Sequence, residues 1–338
     1  MNIHPFGLRE LPLLPKYRNR GLFLDSTRVL IHGSAMVPMG ALISFIGPSL
    51  RMFTYLCENG SQPGKPIISQ VTYALGASYA RLSFMAPVDA LKQPEVSALS
   101  EYIVDQMGAL GVFHILADVD ESNPVFQLLH RAGFATYARQ HIWRLDGEPA
   151  GETDTTPWRA SRSRDSISVR SLYCNVVPGL VQQVEPLPKK DLKGVVYYQN
   201  GELLAFVDLK YGRNGIWVQP FVHPDTQGFD RHLVHLLQSL PDRRNRPLFI
   251  CVRSYQSWLE SSIEAMGAQP GPLQAVLVRH LAVARRVNQA YALPSINGKR
   301  AEPTAPLVHI EKTFILEPYE MENQHRNGRL PGSNRKNP

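Results

Sequence analysis

Three histidines, His223, His232 and His235, stand close enough in the chain to raise the question of a metal site. His232 and His235 share a helix face at i, i+3 spacing, and His223 comes shortly before them. No carboxylate or cysteine completes a ligand spacing, so no metal is expected there. Serine–histidine–aspartate hydrolysis would call for a nucleophile turn, and no Gly-x-Ser-x-Gly occurs. Dinucleotide and P-loop glycine patterns are missing as well. Asp118, Glu121, Glu202 and Asp208 lie on or beside strand-like runs, where a carboxylate could act as a general base. Asp225 reads as a turn residue ahead of the helix. Tyr137, Trp143, Trp217 and Tyr255 read as core or rim aromatics.

The elements that must position these residues follow from hydrophobic period. Ala80 to Met85 is a strand-like run, and Val96, Leu99, Ile103, Met107 and Leu110 give one helix face that Gly111 ends. Phe113 to Val119 alternates as a strand. Asn123-Pro124 then opens a short helix closed by Gly133, and Tyr137 to Leu145 returns as a strand. Residues 147–165 are polar, rich in Gly, Pro, Ser and Thr, and read as a linker. Beyond it, Asn200-Gly201 signals a hairpin between Val195–Tyr198 and Glu202–Leu209. Ile216 to Val222 is a strand, and Phe229 to Leu240 marks a helix. Leu248 to Arg253 is a strand, a second helix turns Trp258, Leu259, Ile263 and Met266 inward, and Leu273 to His280 closes the order.

That order occurs twice. Pro87 to Gly133 spans 46 residues and Pro224 to Gly267 spans 43, at offsets of 137 and 134. A supersecondary order kept at nearly fixed offset indicates two copies of one unit. The expected domains are 1–146 and 166–285, with 286–338 a mostly disordered basic tail. Within that tail the apolar island Leu307 to Leu316 could dock as a strand.

Order and residues together resemble the GNAT superfamily of acyl-CoA-dependent N-acyltransferases, twice over. Phe221 to Leu240 (FVHPDTQGFDRHLVHLLQSL) resembles the family's lead-in and pyrophosphate-binding helix, and Ile115 to Phe134 (ILADVDESNPVFQLLHRAGF) its later segment ending in Gly-Phe. The resemblance covers about 80–285 well and 1–79 only loosely. It implies an α/β (α+β) fold of two tandem GNAT-like domains, each a mixed sheet flanked by helices. It implies transfer of an acyl group, in its simplest form acetyl, from acetyl-CoA or another acyl-CoA to the primary amine of a small molecule or peptide. The cofactor-binding residues it assigns are Val222, Gln227, Gly228, Phe229, Asp230, His232 and Asn123, with no metal and no identified catalytic side chain. A backbone amide near Val222 or Met85 would polarise the thioester carbonyl. The chain also departs from the pattern. Asp230 and His232 hold the two glycine positions, and copy one reads VDALKQPE (Val88 to Glu95) without glycine. The family's tyrosine acid is Leu129 in copy one and Ile263 in copy two. Asn123 lies one residue off its position, and Ser257 stands there in copy two. The competing expectation is an inactive GNAT-like scaffold that binds a protein or ligand.

Composition narrows the classes. A hydrophobic fraction of 43% and a charged fraction of 19% are ordinary globular values. Of the formal charge of +7, four units lie from Arg285 onward, so little is left for a nucleic-acid-binding face. Ala35 to Ile46 is broken by Pro38 and too short to span a bilayer. Three scattered cysteines argue against a disulfide scaffold, and the expected setting is the cytoplasm.

Overall fold

The computed structural model describes residues 2–7, 10, 12–17, 20–33, 50–58, 66–88, 91, 93–153, 155, 157–188 and 192–281. The apolar run at 35–46, part of the Val88–Glu95 loop, the 286–338 tail and its island at 307–316 lie outside the described residues. Among those residues no helix is long and apolar enough to cross a membrane.

Residues 1–285 form one compact unit. Its first half runs β1 (Asn2–Pro5), α1 (Leu13–Tyr17), β2 (Leu22–Phe23), α2 (Ser26–His32), β3 (Leu50–Glu58), β4 (Ile67–Ala74) and β5 (Tyr79–Ala86). It continues with α3 (Gln93–Ala109), β6 (His114–Asp120), α4 (Pro124–Arg131) and β7 (Ala135–Leu145). The second half runs β8 (Arg159–Ala160), α5 (Ser166–Val176), α6 (Gly179–Val184), β9 (Gly194–Gln199), β10 (Glu202–Tyr211) and β11 (Ile216–Val222). It ends with α7 (Phe229–Ser239), β12 (Leu248–Arg253), α8 (Glu260–Ala265), β13 (Gln269–Pro270) and β14 (Gln274–His280). Both halves carry the mixed, helix-flanked sheet that the resemblance implied. The 147–165 segment contains β8, which pairs with β9, and a 3-10 turn at Ser163–Asp165.

Local chemistry sets the element ends. Asn200 and Gly201 adopt positive φ (51° and 84°), the conformation a two-residue hairpin needs to follow strand twist. Asn123 caps α4 by accepting from the Val125 N–H at 3.0 Å. One expectation is corrected. Trp258 is 43% exposed, because Ser254–Leu259 is a 3-10 turn kinked at Gln256. The tighter period turns Trp258 outward and buries Gln256 and Leu259 instead.

Among the described residues the strands join one sheet, ordered β1-β3-β4-β5-β6-β14-β7-β12-β11-β10-β9-β8, with β2 beside β5 and β13 beside β7. The middle of that order exchanges the halves' last strands. β14 pairs with β6 of the first half, and β7 pairs with β12 of the second. Side-chain alternation shows what this holds together. Ala275 and Leu277 of β14 enter the first half's core, whereas Val276 and Val278 enter a central core with Val169, Leu172 and Phe206. Trp143 and Leu145 of β7 likewise complete the second half's core.

Two parallel pairs matter for function. β5 and β6 pair only at Tyr79–Arg81 with His114–Leu116, and β11 and β12 only at Ile216–Val218 with Leu248–Ile250. Beyond those residues each pair splays open. Each long helix, α3 or α7, follows the first strand of such a pair.

Candidate functional site

In the second half, the residues assigned by resemblance gather at the start of α7. Gly228 caps that helix in the left-handed region (φ 63°), and among the described residues no atom beyond its chain neighbours lies within 4 Å of where a Cβ would stand. Gln227 and Asp230 are exposed beside it. Phe229 and His232 turn the other way. Phe229 is buried in the second core and meets Trp158. The His232 imidazole lies 3.3 Å from the Tyr197 hydroxyl, and its carbonyl accepts from Trp158 Nε1 at 2.9 Å. Asn123 sits in the first half as a helix cap, away from this cluster in the chain's topology.

The two splayed gaps differ. In the first half, Leu22 and Phe23 pair antiparallel with Met85 and Phe84, and Leu24 bridges the opening. The Leu24 N–H donates to Ser83 at 3.0 Å, and its carbonyl accepts from the Asp118 N–H at 2.8 Å. The chain's own backbone therefore fills that gap and engages the strand bearing Met85. In the second half a side chain crosses. Gln256, 2% exposed, donates to the Pro220 carbonyl (3.1 Å) and accepts from the Val222 N–H (3.0 Å). That is the amide orientation which satisfies both of its ends.

On the face of β11 away from α7 lies a cavity of about 430 Å³. Trp217, Gln219 and Phe221 line it, while Val218 and Val222 alternate into the α7-side core. Both halves contribute to its walls: Arg28, Tyr79, Arg81 and Asp118 from the first, and Tyr173, Glu185, Asp208, Lys210, Arg253 and Tyr255 from the second. The charged groups form a chain. Asp118 pairs with Arg81 at 3.3 Å, Arg81 with Glu185, and Glu185 with Arg253 at 2.7 Å. Asp118 also accepts from the Ser26 N–H at 3.1 Å.

Environment separates the two carboxylates. Burial opposes ionisation of Glu185, but Arg253 and Arg81 together outweigh it and hold its pKa below the usual value. Burial pushes Asp118 up, and Asp25 adds to that, because Arg81 and Arg253 together do not compensate. Burial likewise opposes charge on Lys210, yet Asp208 at 3.1 Å keeps its pKa above the ordinary value. Desolvation lifts the Cys251 thiol to about 12.

Of the four carboxylates singled out from sequence, Asp118 and Asp208 line the cavity. Glu121 pairs with Arg139 at 2.6 Å, and Glu202 is exposed at the hairpin. Asp225 is exposed in the turn before α7, 3.7 Å from His223. Among the described residues no three metal-binding side chains converge. Sequence reasoning missed Arg81, Glu185, Arg253 and Gln256. A signal existed for two of them: Arg81 and Arg253 interrupt or end otherwise apolar strands, where a cation must find a buried partner. Glu185 follows α6, in a stretch to which no element was assigned.

No family model matches the chain, and no curated protein does. Among solved structures it is similar to the tandem GNAT protein from the clavulanic acid biosynthesis pathway, at 13% identity. That match covers 82% of this chain and 98% of that one, with a TM-score of 0.48. A GCN5-related N-acetyltransferase from Sphaerobacter thermophilus is 12% identical over 82% of this chain and 95% of its own, with a TM-score of 0.49. An acetyltransferase from the GNAT family from Colwellia psychrerythraea is 13% identical over 83% of this chain and 100% of its own, at TM-score 0.43.

Proposed function

We propose that this chain is an acyl-CoA-dependent N-acyltransferase whose second half holds acyl-CoA and whose central cavity receives a primary amine. The observation that carries the reading is a pairing of two openings on either side of β11. One is the exposed start of α7 at Gly228, where among the described residues no side chain crowds the position of a Cβ. The other is the cavity lined by Gln219 and Phe221, next to the splayed gap.

In this reading Gln227, Gly228 and the first amides of α7 hold the pyrophosphate, and acyl-CoA supplies the activated acyl group. The Val222 N–H is the amide available to a carbonyl oxygen once Gln256 swings away. Asp208 is the residue proposed to take the amine proton: it is partly exposed and its ion pair is with a half-exposed Lys210, whereas Asp118 is 3% exposed and held by both Arg81 and Ser26. The first half does not fit acyl-CoA, because Leu22–Leu24 occupies its gap. Unpaired thiols at Cys57, Cys174 and Cys251 support a cytoplasmic setting.

A second reading, a binding scaffold without catalysis, is favoured by Gln256, which already takes the Val222 N–H. Isothermal titration with acetyl-CoA separates the two. We expect weak binding by the wild type, tighter binding by Gln256→Ala, and none by Gly228→Glu. Absence of binding by both wild type and Gln256→Ala would leave the scaffold reading standing.

A further inference from the structure

We propose that the central cavity binds a small carboxylate, held by Arg253 with help from Arg28 and the indole N–H of Trp217. The acceptor in the proposed reaction is then an amine that also carries a carboxylate. This last step rests on the acyl-transfer reading; the carboxylate site does not.

The argument starts from unmet hydrogen bonds. Arg253 has 7% of its side chain exposed, and only Nη2 is engaged, by Glu185. Its Nε and Nη1 are buried without an acceptor among the described residues. Arg28 Nη1 and Trp217 Nε1 are buried and without an acceptor in the same way. All three residues line one cavity, and because the orphan atoms themselves have almost no accessible surface, the ligand engages them as these side chains turn toward it. Every such orphan in a cavity-lining residue is a donor, and none is an acceptor.

A buried donor left without a partner is costly, and a buried guanidinium more so. The complementary group is one with several lone pairs and a negative charge, and a carboxylate offers about four sites. Glu185 cannot take this part, being shared already between Arg81 and Arg253. Tyr79, Tyr173, Phe206 and Phe221 give the rest of the cavity an apolar wall, suited to the carbon body of such a molecule. A cavity near 430 Å³ admits something of amino-acid to dipeptide size.

The test uses the full chain without acetyl-CoA. Simple carboxylic acids and amino acids of graded size, each paired with its carboxamide, are screened by thermal shift and then titrated calorimetrically. The expected result is that at least one acid stabilises the protein and its amide does not. Arg253→Gln should weaken that acid roughly tenfold or more, the loss of charge-assisted hydrogen bonds. Trp217→Phe keeps the ring and removes one donor, so it should weaken binding by less. If Arg253→Gln does not fold, Arg28→Gln and Trp217→Phe carry the comparison. Equal effects of acid and amide, or no stabilisation by any acid, overturn the proposal. A selective acid in a protein that never binds acetyl-CoA would end the acyl-transfer reading and leave the carboxylate site. Acetyl-CoA binding without acid selectivity would do the reverse.

Discussion

At the cavity wall, Glu185 and Asp118 flank the same arginine, and their environments pull their acidities apart. Glu185 sits between two guanidiniums and ionises more readily than in the unfolded chain, so it stabilises the fold above the ordinary carboxylate range. That contribution is lost as pH falls through its depressed pKa. Asp118 is the opposite case. Its raised pKa gives a contribution that is full below the ordinary value and lost as pH rises, so its charge is a cost near neutrality. At pH 7, Glu185→Gln should cost about 3–5 kcal/mol, because Arg253 is left buried beside a neutral group. Asp118→Asn should stay within about 1 kcal/mol, since the amide oxygen can still accept from Ser26 and the ionisation cost is removed. Urea unfolding of both variants at pH 7 and near pH 3.5 checks this. The gap should narrow at the lower pH, which lies below the ordinary carboxylate value, where the wild type begins to lose that contribution. Equal losses at pH 7 would show that the environments do not separate the pair. Neither arginine stands out in a composition count, because each is one cation inside an apolar run; what gives it a role is the partner that only the fold supplies.

The elements were legible where local rules decide them, and lost where tertiary contacts do. Ile216–Val222 and Leu248–Arg253 match the sequence reading residue for residue, because largely apolar runs bounded by Gly215, His223-Pro224 and Pro247 leave little choice. α5 and α6 were not read. Ile167 and Leu180 are exposed on those helices, so the apolar stripe is blurred, and the buried face at Val169, Leu172 and Val181 is short. The candidate phosphate helix was visible through the family resemblance of Phe221–Leu240, but the gap and its plug were not, since Gln256 acts through a kink that no period predicts. At α7 the departures from glycine divide. His232 is engaged with Tyr197 and Trp158, whereas Asp230 is an exposed first-turn carboxylate. Asp230 favours the helix and opposes an anion at the same end. Asp230→Asn should therefore tighten acetyl-CoA roughly two- to fivefold, the size of a surface dipole and charge effect. His232→Gly should lower the melting temperature without that gain. Titration and thermal melts of the two single variants distinguish the effects, and a larger affinity gain from His232→Gly would show that its ring, not Asp230, obstructs the anion.

Across the whole molecule, the exchange of β7 and β14 makes each half dependent on the other. A polar segment between two similar units ordinarily means that each folds alone and that cutting the segment separates them. Here the same segment joins parts that are already interleaved: β14 lies between β6 and β7, and β7 completes the core under α7. Removing either strand would expose apolar faces in both cores, since Leu277 packs in one and Val276 in the central core. The exposed stretch around 147–153 is nevertheless a fit site for a protease, as it carries few buried groups. Brief proteolysis should therefore give two fragments on a denaturing gel that still elute as one species of unchanged size under native conditions. Heat should melt the intact chain in one transition, with calorimetric and van't Hoff enthalpies in agreement despite the length. Fragments that separate without denaturant, or two resolved transitions, would mean that the exchanged strands do not couple the halves. The cavity has walls from both halves, so the same coupling carries through to the ligand: a nicked protein that stays together should keep its carboxylate binding, and halves that part should lose it.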